Sequence, residues 1–268
     1  MALSDHFREL RARILISGVS IVTALILALF FFDQLYDILL EPYNRARANL
    51  PDDVQSELTV NGFGGGILLY LKLCGMAAII LTSPVWLYQI WAFILPGLHS
   101  HERKWSRVFA AIAGPLFLAG AWLGYTTLPK GIEILVGFTP EGSTNLVDNG
   151  GYVSFFIRTL LVFGVAFEIP VFVILLNLAG VVSGKALGAH RAWIIVSTFI
   201  FAAIATPSVD PFSMLFLAIP MVLLFLISEV IARLLDRRKA KADTLSTLAD
   251  DEVSDIGKVS SLEESSEL

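Results

Sequence analysis

The sequence predicts an all-α, polytopic membrane protein with six transmembrane helices and both termini in the cytoplasm. Hydrophobic residues make up 56% of the 268 residues and charged residues only 16%, and the mean hydropathy is +0.73. A water-soluble domain of this length has too small an interior for so much apolar surface. Six long apolar runs lie along the chain, and Lys and Arg are concentrated in alternate connections between them. Together these observations indicate a helical bundle that crosses a bilayer six times.

Each apolar run is close to the roughly 20 residues that an α-helix needs to cross about 30 Å of hydrocarbon. The second and fourth runs are longer, and Pro84 and Pro170 are placed to kink them. The fifth run is short, and the turn TPSVDP joins it to the sixth in a predicted hairpin. The predicted spans are Ile14–Phe32, Gly65–Phe93, Arg107–Leu128, Tyr152–Ala179, Ala189–Ala205 and Phe212–Leu235.

Basic residues predict which connections face the cytoplasm. The N-terminus and the connections after the second, fourth and sixth runs carry thirteen Lys and Arg residues. The three opposite connections carry only Arg45, Arg47 and Lys130. Because cytoplasmic connections of membrane proteins are enriched in Lys and Arg, this asymmetry predicts that both termini are cytoplasmic.

Two segments outside the spans have a distinct composition. Asp33–Phe63, on the predicted external side, contains DQLYDILLEPY, whose apolar spacing predicts a short helix at the membrane interface. Residues 239–268 are acidic and rich in serine, lack aromatic residues, and predict a disordered cytoplasmic tail. We therefore divide the chain into a six-span domain, residues 1–238, and this tail.

No catalytic or cofactor-binding motif accompanies the spans. The sequence lacks G-x-S-x-G, H-E-x-x-H and the phosphate-binding G-x-x-x-x-G-K-[ST]. His99, His101 and Glu102 lie close together. The remaining histidines, His6 and His190, stand alone in other connections, so no metal site is predicted. We predict a protein that is not an enzyme and that binds neither a cofactor nor nucleic acid.

Glu168 is the most informative single residue, because it lies near the middle of the fourth predicted span. A carboxylate at this depth costs about 2.5–3.5 kcal/mol on insertion scales, so it normally faces a cavity, a partner helix or a polar group. A structural pair with a Ser or Thr on a neighbouring helix and a functional role both fit the sequence. Lys72 and Arg158 lie near external ends of spans, where snorkelling suffices. Glu229 has Arg233 as its i+4 helical partner.

Four stretches of the sequence carry a resemblance to a known family: HFRELRAR, SPVWLYQIWAFILPGLHSHERK, FGVAFEIPVFVILL and LAIPM. They resemble the TatC family, the large multispanning subunit of twin-arginine protein translocases. The similarity extends from about Leu3 to Arg238, in register with all six spans. It implies a concave, glove-like scaffold of six tilted helices in a bacterial-type cytoplasmic membrane.

The resemblance also implies a function. Members of this family recognise folded precursor proteins through twin-arginine signal peptides at the cytoplasmic face. They assemble with single-span subunits of the TatA and TatB type, associate with further copies in a multimeric complex, and use the proton-motive force for export. The sequence lacks a phosphate-binding loop, which is consistent with an energy source other than a bound nucleotide.

Five positions match the signal-binding residues of the family. The family uses one glutamate in its ELR motif and one in its HER motif, and these match Glu9 and Glu102. Flanking family positions match Arg11, Phe93 and Arg103. A carboxylate binds the planar guanidinium group of arginine through two parallel hydrogen bonds. Two glutamates would therefore distinguish an Arg-Arg pair from Lys-Lys by geometry rather than by charge.

Further positions match the family inside the membrane and outside it. Its mid-membrane glutamate, implicated in contacts with partner helices, matches Glu168, and a proline of its first external loop matches Pro42. Many members place a glutamine at the start of the sixth helix as the polar partner of that glutamate. In this chain the place falls on Met214, and Ser213 or Thr206 is left as the candidate hydroxyl partner.

Two other classes of function compete with a receptor. A proton-coupled secondary transporter of small solutes would use Glu168 as its carrier site, and inverted repeats would favour it. The first and last three spans show no convincing similarity. An intramembrane enzyme would need a nucleophile with its base or a set of metal ligands, and the sequence has neither. The receptor is therefore the predicted function.

Overall fold

Helices form along all six apolar runs of the sequence in this computed structural model. It describes residues 3–50, 55–60, 64–94, 103–140, 144–178, 180–206 and 211–246. The helices of this part of the chain are α1 (Leu3–Phe30), α2 (Phe32–Ala48), α3 (Gly65–Leu81), α4 (Ser83–Ile94), α5 (Arg103–Gly137), α6 (Asn149–Ala166), α7 (Ile169–Leu178), α8 (Gly184–Ala189), α9 (Arg191–Ala205) and α10 (Pro211–Ser246). Two strands accompany them, β1 (Gln55–Thr59) and β2 (Thr144–Asp148).

Several helices are long and apolar enough to cross a membrane, which confirms the predicted helical fold class. The uninterrupted stretches that qualify in the described chain are Phe7–Phe30, Ala111–Gly137, Asn149–Leu178 and Met214–Arg238. Helices α3 and α4 add another if they are counted as one bent span. Helix α9 is apolar but has only 15 residues, in agreement with the short fifth segment of the sequence. The count of six spans and the orientation of the termini stay predictions.

The predicted kink at Pro84 is present. Helix α4 has this proline as its second residue and continues from α3 at an angle of 56°. Side chains bond to the carbonyl groups at the break: the hydroxyl of Thr82 donates to Ala78 at 2.6 Å, and the indole of Trp86 donates to Ile79 at 2.9 Å. A helix can be interrupted inside a membrane when neighbouring groups satisfy its free carbonyls in this way.

The second predicted kink, at Pro170, is a break without a sharp bend. Helix α6 ends at Ala166 and α7 begins at Ile169, yet the two together read as one apolar stretch, Asn149–Leu178. Proline has no N–H to donate to the carbonyl four residues earlier, which accounts for a break at this point. Glu168 belongs to the turn that separates the two helices.

Three helix ends differ from the predicted spans. The first predicted span runs to Phe32, whereas α1 ends earlier and a new helix begins there. The third was predicted to end at Leu128, whereas α5 continues through Pro129 to Gly137, since a proline removes one backbone hydrogen bond of a helix without ending it in every case. Helix α10 runs to Ser246, past the predicted domain boundary. Residues 247–268 of the predicted tail lie outside the described residues, so that division into domains stays a prediction.

Helix α2 and the two strands cover one end of the bundle, which we call the capped end. The strands pair in parallel, from Gln55 opposite Thr144 to Thr59 opposite Asp148. Strand β1 precedes α3 and β2 leads directly into α6, so both helices begin at the capped end. The strand pair was not predicted, because each strand has only five residues within a polar connection. Helix α2 confirms the short helix predicted within Asp33–Phe63.

Helices α5 and α6 cross closely because glycines face aromatic side chains. A Cβ atom at Gly120 would lie 2.5 Å from the carbonyl oxygen of Phe163, and one at Gly164 would lie 2.7 Å from the ring of Phe117. Small residues let helix backbones approach, and the resulting van der Waals contact drives association where lipid is as apolar as the protein interior. This crossing holds α6, and with it the turn that contains Glu168, against α5.

Pro42 lies inside α2 with its ring buried. Proline cannot donate a backbone hydrogen bond to the residue four positions earlier, which is Ile38. The hydroxyl of Tyr125, on α5, donates to that carbonyl at 3.2 Å. The next carbonyl, that of Leu39, accepts from the hydroxyl of Tyr152, on α6, at 2.7 Å. Two tyrosines therefore link α2 to the bundle at the place where the proline weakens the helix.

We expect Tyr125→Phe to lower the free energy of unfolding by about 1 kcal/mol, the usual net contribution of one hydrogen bond. In a Pro42→Ala background the loss should be smaller, because the alanine amide itself donates to the Ile38 carbonyl. Unfolding of the four proteins in detergent completes the double-mutant cycle. Equal losses in both backgrounds would mean that Tyr125 does not compensate for the proline.

Candidate functional site

Four of the five residues predicted to bind a signal peptide belong to helix ends opposite the capped end. Glu9 and Arg11 lie near the start of α1, Phe93 lies near the end of α4, and Arg103 is the first residue of α5. Arg11 is exposed and Phe93 is half-buried. The side chain of Arg103 and all of Glu102 lie outside the described residues. Because α4 packs against both α1 and α5, these three helix ends meet at one end of the bundle, which we call the distal end.

Glu9 is held in a defined orientation by Arg13, one helical turn further along α1. Its Oε1 accepts hydrogen bonds from Nε and Nη2 of Arg13, at 3.0 and 2.5 Å. The guanidinium group also donates from Nη1 to the amide oxygen of Gln89, on α4, at 3.2 Å. The Glu9 side chain remains 32% exposed. The result is a carboxylate fixed at the junction of α1 and α4, still accessible from the distal end.

Sequence reasoning missed the role of Gln89. It is a polar side chain within the apolar stretch LYQIWAF, and that position was the only available signal. Glu9 and Arg13 have the i, i+4 spacing of a helical ion pair, so their contact could have been predicted from the sequence. Arg13 and Gln89 are 76 positions apart in the chain, and a local sequence pattern cannot predict a contact between residues so far apart.

Glu168 lies in the turn between α6 and α7 with both carboxylate oxygens buried. Neither oxygen has a hydrogen-bond partner among the described residues. The backbone of the turn is satisfied: the N–H of Glu168 donates to Val165 at 3.0 Å and its carbonyl accepts from Phe172 at 3.0 Å. The side chain alone is therefore without a partner in the described chain.

Trp91, on α4, is the residue that approaches this carboxyl group. Its indole nitrogen is buried and likewise lacks a hydrogen-bond partner in the described chain. The indole faces the carboxyl group of Glu168, but the two do not meet hydrogen-bond geometry. The ring of Trp91 also contacts Phe172, with 6.5 Å between ring centroids. A donor and an acceptor thus stand side by side, and the sequence did not predict this neighbour.

Thr206, one of the two candidate hydroxyl partners of Glu168, does not bond to it. The hydroxyl of Thr206 donates to the backbone carbonyl of Ala203 at 3.5 Å. Met214 packs against the apolar cluster that includes Phe163. The side chain of Ser213 lies outside the described residues. Within the described chain, therefore, no polar pair forms between Glu168 and the start of α10, and the role of these residues toward a partner subunit stays a prediction.

An apolar groove runs beside this turn. It has a volume of about 500 Å³ and lies between α6, α7, α9 and α10. Val165 and Ile169, which flank Glu168 in the chain, line one wall, and Trp193 and Phe201 of α9 line another. Apart from Ser197 and Thr198, the side chains that line the groove are apolar.

A second buried carboxylate, Glu229 on α10, is fully paired. Its residue is only 1% exposed. Arg191, at the start of α9, binds it through two parallel hydrogen bonds of 2.9 and 2.8 Å. Arg233 forms an ion pair with it at 2.7 Å, which confirms the predicted helical pair. The contact with Arg191 was not predicted, because the two residues are 38 positions apart.

Asp236 extends this polar cluster to the short helix α8. One carboxylate oxygen accepts from the side-chain amide of Asn177 at 2.7 Å, and the other accepts from the backbone N–H of Gly184 at 2.6 Å. Arg233 donates to the carbonyl of Gly184 at 3.3 Å. The connection between α7 and α9 is thereby held against α10, at the same side of the bundle as the distal end.

The comparisons with known proteins agree with one another. A family model described as Sec-independent protein translocase protein (TatC) matches residues 5–220. The chain is 41% identical over 256 residues to the Sec-independent protein translocase protein TatC of Frankia casuarinae, covering 93% of this chain and 70% of that relative. It is 32% identical over 242 residues to TatC of Aquifex aeolicus, covering 89% of this chain and 98% of that relative.

The fold is similar to that of a solved receptor. A crystal structure of the twin-arginine translocase receptor TatC in DDM superimposes with a TM-score of 0.72 and 32% sequence identity. The match covers 85% of this chain and 99% of that one. A second crystal structure of the same receptor gives a TM-score of 0.71 and 31% identity.

Proposed function

Because the chain belongs to the TatC family of Sec-independent protein translocase proteins, we propose that it is the receptor subunit of a twin-arginine translocase. With its apolar helices it is a membrane-embedded, multi-pass protein. The observation that carries the proposal is the similarity to a solved twin-arginine translocase receptor over nearly the whole length of that receptor. The function is the binding of signal peptides of folded precursor proteins, followed by their export, and not catalysis.

The distal end binds the two arginines of the signal peptide. Glu9 and Glu102 each receive one guanidinium group, and Arg11, Phe93 and Arg103 shape the surrounding surface. Glu9 accepts from Arg13 through one oxygen, whereas an ionised carboxylate has about four acceptor sites. A second guanidinium group can therefore bind without displacing the first. Charge-assisted bonds of this kind contribute about 1.5–3 kcal/mol each.

The middle of the bundle binds single-span subunits of the TatA and TatB type. Glu168, whose carboxylate oxygens have no partner in the described chain, is the polar contact, and Thr206, Ser213 and Met214 are the further contact residues that the family resemblance implies. The apolar groove beside α9 supports this proposal, because it opens next to the turn that holds Glu168. A polar group on an incoming helix would satisfy the carboxyl group, and the groove would take its apolar surface.

The setting follows from the distribution of basic residues. We place the chain in the cytoplasmic membrane of a bacterial-type cell, with both termini and the distal end facing the cytoplasm. The capped end, with Pro42 inside α2, then faces outward. The receptor acts within a multimeric complex that contains further copies of itself, and the proton-motive force supplies the energy for export.

The similarity to a translocase receptor does not favour a small-solute transporter. A proton-coupled carrier would also explain a buried glutamate, and Glu168 was the basis of that alternative. The two proposals differ in their ligand: a carrier would bind a small solute near Glu168, whereas a receptor binds a peptide at the distal end, far along the helices from that residue.

Replacing Glu102 tests the signal-binding site. We expect Glu102→Ala to reduce photocrosslinking of a twin-arginine signal peptide by about tenfold or more, since one charge-assisted contact is lost. Membrane insertion should be normal. Glu41→Ala is the matched control, because Glu41 is an exposed acid at the capped end, paired with Arg45. Unchanged crosslinking by Glu102→Ala would contradict the assignment of this residue.

Replacing Glu168 tests the partner-binding site. Glu168→Ala should leave signal-peptide crosslinking intact and reduce copurification of co-expressed single-span subunits several-fold, because the polar contact within the membrane is lost. Glu57→Ala, at an exposed acid of β1, serves as the control. If partner recovery and export are both normal, Glu168 has a structural role only.

A further inference from the structure

Helix α9 forms one wall of the apolar groove, and it packs mainly against α10. Its outer side, which includes Val196, Ile200 and Ile204, is exposed. Its 15 residues extend only about 22 Å at a rise of 1.5 Å per residue, less than the roughly 30 Å of hydrocarbon in a bilayer. A helix this short cannot be placed by the two membrane surfaces, so contacts with its neighbours fix its position.

Apolar contacts fix the end of α9 that is nearer the capped end. Ala202 is fully buried, in a cluster that also contains Phe163 and Ala166 of α6. From Phe201 back to Trp193, however, side chains of α9 line the groove. The contact with α6 therefore holds only one end of α9.

The other end of α9, on the side of the distal end, is bound by the ion pair of Arg191 with Glu229. Arg191 is the first residue of α9, and its guanidinium group donates two parallel hydrogen bonds to the carboxylate on α10. A bidentate contact of this kind fixes the orientation of the two groups as well as their distance. Glu229 is too deeply buried to meet an incoming helix itself, so its contacts within the chain define what it does.

Two glycines let the short helix α8 lie directly on α10 beside this ion pair. A Cβ atom at Gly184 would lie 2.6 Å from the backbone nitrogen of Arg233, and one at Gly188 would lie 2.8 Å from Oε1 of Glu229. Arg233 pairs with Glu229 and also donates to the carbonyl of Gly184, whose N–H donates to Asp236. Glu229 therefore joins α8, through Arg233, to the same point of α10 that holds α9.

Leu187, which lies between those two glycines on α8, belongs to the groove. It is buried in a cluster with Phe225 of α10, and Val173 of α7 and Ile194 of α9 pack against the same cluster. All four side chains line the groove. Leu187 and Phe225 therefore connect α7 with α9 at this end of the groove, and the ion pair that holds α8 and α9 on α10 also fixes this connection.

We propose that Arg191, Glu229 and Arg233 are positioning residues for partner binding: they hold the start of α9, with α8 beside it, at a fixed place on α10 and thereby set the width of the apolar groove. Without the ion pair, α9 is held firmly at one end only and can move relative to α7. The occupant of the groove is the one in the proposed function, a membrane-spanning helix of a partner subunit, and the inference rests on it. The effect of the ion pair on the groove itself is a property of this chain alone.

The distance from α9 to the rest of the bundle tests the ion pair in the full-length chain alone. Spin labels at Val196 of α9 and Ile112 of α5, both exposed, are introduced in a Cys74→Ala background. Double electron–electron resonance in lipid nanodiscs then gives the distance distribution. We expect Arg191→Gln to broaden this distribution and to shift its mean by a few ångström, because α9 loses its anchor while the buried carboxylate keeps its other counter-ion.

Three further variants separate the anchor from charge and from folding. Gly184→Ala leaves every charge in place but cannot keep α8 against the backbone of α10, and it should shift the same distance. Arg191→Lys keeps the charge without the planar pair of donors, and its distribution should lie between those of the unchanged protein and Arg191→Gln. Arg45→Gln, at an exposed ion pair of the capped end, should leave the distribution unchanged.

Copurification of co-expressed single-span subunits tests the consequence for partner binding. Arg191→Gln should lower their recovery several-fold and leave photocrosslinking of a twin-arginine signal peptide unchanged, because the groove is altered and the distal carboxylates are not.

An unchanged distance distribution in both Arg191→Gln and Gly184→Ala overturns the proposal. Full partner recovery by Arg191→Gln also overturns it where Glu168→Ala lowers recovery in the same assay, because the width of the groove would then not matter to the partner. If recovery is full in both variants, the partner site of the proposed function has failed, and the distance alone decides whether the ion pair positions α9.

Discussion

A carboxylate inside an apolar helix bundle needs a partner, and much of this structure depends on how that need is met. Glu229 has its partners within the chain: Arg191 and Arg233 bind it, and Asp236 extends the same cluster to α8. The carboxylate oxygens of Glu168 have no hydrogen-bond partner within the described chain. Breaking a buried ion pair is strongly destabilising, whereas a carboxyl group left without a partner is retained only where something else uses it. We therefore propose that Glu229 acts inside the subunit and Glu168 toward its surroundings.

The same requirement explains how the bundle tolerates its irregular helices. Side chains bond to backbone carbonyl groups at two of these irregular places: Thr82 and Trp86 at the kink of α3 and α4, and Tyr125 beside Pro42. The hydrocarbon core of a membrane contains no water that could form hydrogen bonds with these carbonyl groups. At these two places the carbonyl groups beside a proline are bonded within the protein and not left to lipid.

How far the sequence predicts this molecule depends on whether a feature is local. The apolar runs, the breaks at Pro84 and Pro170, the helix around Pro42 and the pair of Glu229 with Arg233 follow from composition and helical spacing. The contacts of Arg191 with Glu229 and of Arg13 with Gln89 join residues far apart in the chain. So does the pairing of β1 with β2. These features depend on which helices are neighbours, and a single sequence does not contain that information. For the signal-binding residues, charge patterning predicted a side of the membrane, and only the family resemblance predicted a ligand.

The central claim is that carboxylates at the distal end bind the two arginines of a signal peptide through paired hydrogen bonds. The most direct measurement compares two labelled signal peptides that differ only in Arg-Arg against Lys-Lys, titrated against the purified chain at one ionic strength. Lysine carries the same charge but lacks the planar pair of donors. We expect the Arg-Arg peptide to bind at least about tenfold more tightly, the difference of one strong hydrogen-bonded contact. Equal affinities would mean that the distal end reads charge alone, and would contradict the claim.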